Sequence, residues 1–240
     1  MKRICTFAFL MILTGQMLFA QKTYLVSVGV CDYPGTSADL RMTVDDAIVI
    51  ANICRSNSNA RYTLLFDSDA TCSAIKRSMS SLFSQAGRND VVILFFSGHG
   101  TPEGLVAYDG IVTYEEIRNV FSACACTNKM VFADACYAGR LRVSGGRGNS
   151  HSGGSDQNVL FFLSSRSDET SLEVPGMSNG LFTAYLERGL RGGADSNRNR
   201  IITARELFDF VSSGVRTRSG DRQHPVMWGN FSDNMPVIKW

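Results

Sequence analysis

Five short runs of β-forming apolar residues, at 24–30, 62–66, 91–96, 130–133 and 159–163, recur along the chain with helical patterns between them. Each run is continuous rather than alternating, which predicts strands covered on both faces. Between them Val44, Ile48 and Ala51 recur at helical spacing, as do Ile75, Met79, Leu82 and Phe83. Strand and helix alternating in this way predict an α/β sandwich: a mostly parallel central sheet flanked by helices. Two stretches depart from the rhythm. Residues 105–113 read as a small hairpin turning at Asp109-Gly110. Residues 140–156 are poor in apolar side chains and rich in Gly, Ser and Arg, which predicts an exposed, flexible loop.

The first twenty residues have a separate logic. Lys2 and Arg3 precede an apolar run from Ile4 to Leu13, and Leu18-Phe19-Ala20 precedes the polar Gln21-Lys22. This is the layout of a secretory signal peptide cleaved after Ala20. The run is broken by Thr14, Gly15 and Gln16 and falls short of the roughly 20 residues that span a bilayer. The expectation is a secreted or periplasmic protein without stable membrane insertion, residues 21–240 forming a single domain. Without Lys2 and Arg3 the 24 basic residues become 22, against 22 acidic ones, so nothing in the charge points to nucleic acid. The six cysteines that remain match no compact disulfide framework; Cys31, Cys54 and Cys124 read as buried small hydrophobes inside strands or helices.

In an open parallel sheet, ligands bind beyond the carboxyl ends of the strands. His99 follows the run ending at Phe96, in Ser97-Gly98-His99-Gly100, and Cys136 follows the run ending at Ala133, in Asp134-Ala135-Cys136-Tyr137-Ala138-Gly139. Both leave the same edge of the sheet. A thiol becomes a strong nucleophile when a nearby imidazole takes its proton or holds the thiolate as an ion pair. The glycines beside His99 allow close approach of a substrate backbone, and the amides of Gly100 and Cys136 are placed to donate to an oxyanion.

These two motifs resemble those of the caspase-like cysteine peptidases, and the metacaspase branch more than the animal caspases. The resemblance extends to Leu40-Arg41-Met42-Thr43-Val44-Asp45-Asp46-Ala47, like the family's acidic opening of the first helix, and to residues 164–171, like a substrate-groove segment. Gly180-Leu181-Phe182-Thr183 resembles a further helix start, so the likeness covers about residues 22–211. It implies a His99–Cys136 dyad with Gly100 and Cys136 as oxyanion donors. The chain departs from the Gln-Ala-Cys of caspases by carrying Asp134 two residues before the nucleophile, and its dyad residues stand 37 apart rather than about 50. By resemblance to metacaspase-like members, Asp46 and Asp134 line a pocket for Arg or Lys. Two carboxylates would pair with a guanidinium and repel an Asp side chain. The competing structural reading is that Asp46 caps a helix and Asp134 fixes a turn.

A second constellation runs from Asp195 to Glu206. Asp195, Asn197, Asn199 and Glu206 fall at ligand positions of an EF-hand-like calcium loop, but Arg200 stands where the sharp turn normally wants Gly. A capping box of Thr203 and Glu206 is the favoured reading, and calcium the disfavoured one.

The expected function is therefore a cysteine endopeptidase that hydrolyses peptide bonds after Arg or Lys through a thioester and requires no cofactor. Its partners would be peptide or protein substrates. A caspase-fold binding or signalling module without activity is the alternative. Arg140, Arg142 and Arg147 lie in the predicted loop shortly after Cys136 and are candidates for self-cleavage of a zymogen.

Overall fold

The computed structural model describes residues 21–35, 38–57, 59–135, 159–165 and 178–239. The expected leader at 1–20, Cys136 and the loop at 140–156 with Arg140, Arg142 and Arg147 lie outside the described residues. A six-stranded sheet forms the centre. Its strands are β1 (Lys22–Gly29), β2 (Asn59–Phe66), β3 (Val91–Ser97), β6 (Asn128–Asp134), β7 (Val159–Leu163) and β9 (Val226–Asn230). They lie in the order β2-β1-β3-β6-β7-β9, all parallel except β9, which runs antiparallel to β7. Residues 104–107 and 110–113 form the hairpin β4 (Gly104–Ala107) and β5 (Gly110–Thr113). β8 (Ile201–Thr203) and β10 (Pro236–Lys239) make a separate antiparallel pair.

Two apolar layers sandwich the sheet. On one face Val26, Val92, Leu94, Phe96 and Val131 pack against Ile75, Met79 and Phe83 of α2 (Cys72–Phe83) and Ile117 and Phe121 of α3 (Tyr114–Ser122). On the other, Leu25, Ile93, Phe95, Met130 and Phe132 meet α1 (Thr43–Asn57), α4 (Leu181–Arg188) and α5 (Ala204–Ser219). Alternate residues of each central strand therefore feed opposite cores, which is why the runs are apolar throughout. β2 is different: it is the sheet's edge, its residues are exposed or half-buried, and Tyr62 faces solvent, so the expectation of cover on both faces fails there. Cys31 also departs from expectation. It sits half-buried in the loop after β1, its thiol 2.9 Å from the Thr43 hydroxyl.

The helices begin where their residues can satisfy free backbone amides. Thr71 caps α2 by accepting from the Ala74 amide, and Thr113 with Glu116 forms a reciprocal capping box on α3. α1 is set by its docking on β1. The Ser27 hydroxyl donates to the Ala47 carbonyl at 2.8 Å, and Gly29 leaves the space that the Thr43 carbonyl occupies. That contact holds the start of α1, and Asp46 with it, over the end of β3. Gly29→Ala should drive a methyl into backbone that cannot move aside, destabilising the fold by about 2 kcal/mol, read as a lower denaturant midpoint at unchanged slope.

Candidate active site

The pairing of β3 with β6 levels the ends of the two strands: Phe96 lies opposite Ala133 and Ser97 opposite Asp134. The Gly98 amide then donates to the Asp134 carbonyl at 3.2 Å, so the two chains leave the sheet together. His99 stands two residues beyond Ser97. Cys136, two residues beyond Asp134 in the chain, is outside the described residues, and the last residue before it, Ala135, is held firmly. The Ser164 hydroxyl accepts from the Ala135 amide and donates to its carbonyl, both at 3.0 Å. Ser164 is itself fixed by Gln223, whose side-chain amide donates to the Ser164 carbonyl at 2.9 Å. Ser164 and Ser165, the described part of the segment likened to a substrate groove, are fully buried.

His99 is half-exposed, and its Nε2 lies 2.6 Å from the Ala38 carbonyl oxygen. A carbonyl only accepts, so Nε2 carries a proton, and the tautomer this selects has Nδ1 as its acceptor. Gly100 bridges Leu105, but the hydrogen bonds at that bridge belong to its neighbours: Val106 N to His99 O at 2.9 Å and Thr101 N to Gly104 O at 2.8 Å. The Gly100 amide accordingly points away from the hairpin.

Asp46 and Asp134 do come together, both buried, beside the start of α4. Asp46 accepts from the Ser97 hydroxyl at 2.7 Å, the Asn179 side-chain amide at 2.9 Å and the Gly180 amide at 3.1 Å. Asp134 accepts from the Thr183 amide at 3.1 Å and the Thr183 hydroxyl at 2.9 Å. The two acids thus supply the cap that Gly180, lacking a side chain, cannot give α4. Capping was the competing structural reading for Asp46, but the helix it caps is α4, not its own α1. Gly180 is obligatory because a methyl there would strike the Asp134 carboxylate. Ser97, Asn179, Gly180 and Thr183 were not singled out as partners of the acids from sequence. Ser97 carries a signal in its place two residues before His99, and Gly180 and Thr183 carry one as a helix start.

Burial, and after it the neighbouring charge of Asp134, push the Asp46 carboxyl up to about 7, against the three donors that favour its ionised form. Among the described residues, none of the groups acting on Asp46 is a cation. The arrangement is a pair of buried carboxyls that cap α4, with Asp46 bonded to Ser97, two residues before the half-exposed His99.

The Asp195–Glu206 loop carries the expected capping box, with Thr203 and Glu206 bonded reciprocally. Arg200 takes the left-handed conformation, at φ 64°, that the turn demands. The loop's oxygens face inward to its own donors. Asp195 accepts from the amides of Asn199 and Arg200, Asn199 from that of Ile201, and Glu206 from the side chains of Ser196 and Asn197. Among the described residues no three His, Cys, Asp or Glu side chains are grouped to hold a metal ion, and no helix is long and apolar enough to cross a membrane.

The raised carboxyl fixes a stability signature. Asp46 ionises near pH 4 in the unfolded chain and near 7 in the folded one, so it favours folding below pH 4, and that contribution is lost as pH climbs to 7. Asp46→Asn keeps an acceptor for Asn179 and Gly180 but cannot ionise. The melting temperature of the variant relative to wild type should therefore rise steadily between pH 4 and 8; a difference flat across that range would contradict the raised carboxyl.

Comparison with known proteins agrees with this geometry. The family profile described as Caspase domain matches residues 24–235. A crystal structure of a protein from Geobacter sulfurreducens superposes with a TM-score of 0.68 at 16% identity, covering 88% of this chain and 94% of its own. Caspase-1 from Spodoptera frugiperda gives a TM-score of 0.65 at 17% identity, covering 89% and 88%. No curated protein sequence matches. With strand order, helix layers and a profile spanning nearly the whole chain in agreement, the protein belongs to the caspase-domain family, whose members are generally cysteine peptidases.

Proposed function

We propose that the protein is an exported cysteine endopeptidase of the metacaspase-like kind, which cleaves after Arg or Lys. The observation that carries this reading is the His99 ring, with its Nε2 proton held by a backbone carbonyl and its Nδ1 left as a base, on the strand next to the one that leads into Cys136. In the proposed cycle His99 takes the Cys136 thiol proton and the sulfur attacks the peptide carbonyl. The oxyanion is held by the amides of Gly100 and Cys136. His99 then gives the proton to the departing amine as the C–N bond breaks, leaving a thioester. Water hydrolyses the thioester, releasing the carboxylate product and restoring the thiol. No cofactor takes part in this cycle.

The pairing of Asp46 with Asp134 supports the choice of substrate. A guanidinium or ammonium group reaching Asp46 and Asp134 would favour ionisation of both carboxyls and gain charge-assisted hydrogen bonds, whereas an Asp side chain would add a third negative charge. Arg140, Arg142 and Arg147 are the proposed sites at which a zymogen cuts itself.

Cys136→Ala should reduce peptide hydrolysis and labelling by thiol-directed inhibitors about 1000-fold or more, and His99→Ala nearly as far, without loss of folding. When wild type and Cys136→Ala are purified side by side, only wild type should be found cut between residues 140 and 156. Wild-type turnover by Cys136→Ala would refute the mechanism and favour a binding module with contaminating activity.

On fluorogenic peptides differing only at the residue before the cleaved bond, Arg and Lys should be preferred to Asp. Asp134→Asn should lower kcat/KM for the Arg peptide by about tenfold to a hundredfold, mainly through KM. Faster cleavage after Asp than after Arg would refute the role assigned to the two acids.

A further inference from the structure

Tyr33 lies in the loop after β1, 66 residues from His99 in sequence, yet it touches the histidine in two ways. Its ring packs on the imidazole with centroids 4.8 Å apart and planes inclined by 40°. Its hydroxyl accepts the His99 backbone amide at 2.8 Å and donates to the Val106 carbonyl at 3.0 Å. Val106 in turn donates its own amide to the His99 carbonyl at 2.9 Å. The histidine's backbone is thus clamped on both sides by a closed circuit through one phenol.

The same loop holds the imidazole. The Tyr33 amide donates to the Asp39 carboxylate at 3.3 Å, next to Ala38, whose carbonyl holds Nε2. The Leu40 amide donates to the Cys31 carbonyl at 2.9 Å and closes the loop's base. Tyr33 therefore stands between the carbonyl that orients the ring and the strand end that presents it.

Gly98 gives independent support. A methyl on Gly98 would sit 2.7 Å from the Tyr33 hydroxyl oxygen and 2.9 Å from the Phe96 ring. The glycine before the histidine is required by the tyrosine's approach, besides any need of a substrate. Burial raises the phenol's pKa above its ordinary value, so Tyr33 is protonated at neutral pH and has both a donor and an acceptor role there.

We propose that Tyr33 is a positioning residue for His99, fixing the histidine's backbone and ring face so that Nε2 stays on the Ala38 carbonyl and Nδ1 stays open as the base. The kinetic part of this proposal rests on the reading of the protein as a cysteine peptidase; the structural part does not. Tyr33→Phe keeps the ring and removes only the clamp. It is expected to fold, to keep KM for an Arg peptide within about twofold, and to lower kcat about tenfold, since small misplacements of a base are costly.

The readout independent of activity is nitrogen-15 NMR of the histidine rings, with His99 assigned by difference from His99→Gln. Wild type should show the Nε2–H tautomer with a solvent-protected Nε2 proton, and Tyr33→Phe should lose that protection. Wild-type kcat with an unchanged His99 signal in Tyr33→Phe would overturn the proposal, as would a loss carried entirely by KM. An Nδ1–H tautomer in wild type would overturn it without any variant. If wild type hydrolyses no peptide at all, the peptidase reading fails, while the His99 signals still decide whether Tyr33 positions the ring.

Discussion

Everything at the candidate site depends on the parallel pairing of β3 with β6. Phe96 faces Ala133 and Ser97 faces Asp134, and this register brings the histidine's strand and the one leading to the cysteine to a common end. Register in a sheet buried on both faces is strongly fixed, because a slip by one residue would exchange the side chains facing the two cores. Val92, Leu94 and Phe96 would turn from the α2–α3 layer into the α1–α4–α5 layer. The apolar content of the two central strands thus sets the alignment of their ends, and the chemistry inherits it.

The second constraint is electrostatic. Two carboxylates buried side by side oppose each other, and burial alone costs several kcal/mol per ion after relaxation. The structure offsets this with donors from two elements: Ser97 from β3, and Asn179, Gly180 and Thr183 from the start of α4. The exchange is mutual, since a helix that begins with glycine has amides in need of acceptors. Changing either acid to a basic residue would uncap α4 and place like charge against its positive end.

Much of this was legible in the sequence, for definite reasons. Unbroken apolar runs identify β1, β3, β6 and β7, because burial on both faces leaves no room for polar alternation. The Asp109-Gly110 turn marks the β4–β5 hairpin, and Thr203 with Glu206 marks the start of α5. β9 escaped because it is short, antiparallel and half-exposed, with a glycine and an asparagine at its end; Trp228 holds it by stacking on Phe161 at 4.1 Å. At the site, His99 and the two acids are visible because their motifs are local. Tyr33 and Ala38 are not, since a backbone carbonyl has no sequence signature, and a tyrosine meeting a residue 66 positions away is brought there only by the pairing of β1 with β3.

The pairing of β6 with β7 has one more consequence. Met130 to Ala133 lie in parallel register with Leu160 to Leu163, and Ala135 is bonded to Ser164, so residues on either side of the 136–158 stretch are joined by the sheet as well as by the chain. A single break in that stretch would change the molecularity of folding without removing a strand contact. The intact chain folds as one body at a midpoint independent of concentration, whereas the broken one would be a complex of two pieces whose stability grows with protein concentration. Separating the pieces would expose the buried apolar faces of both strands to water.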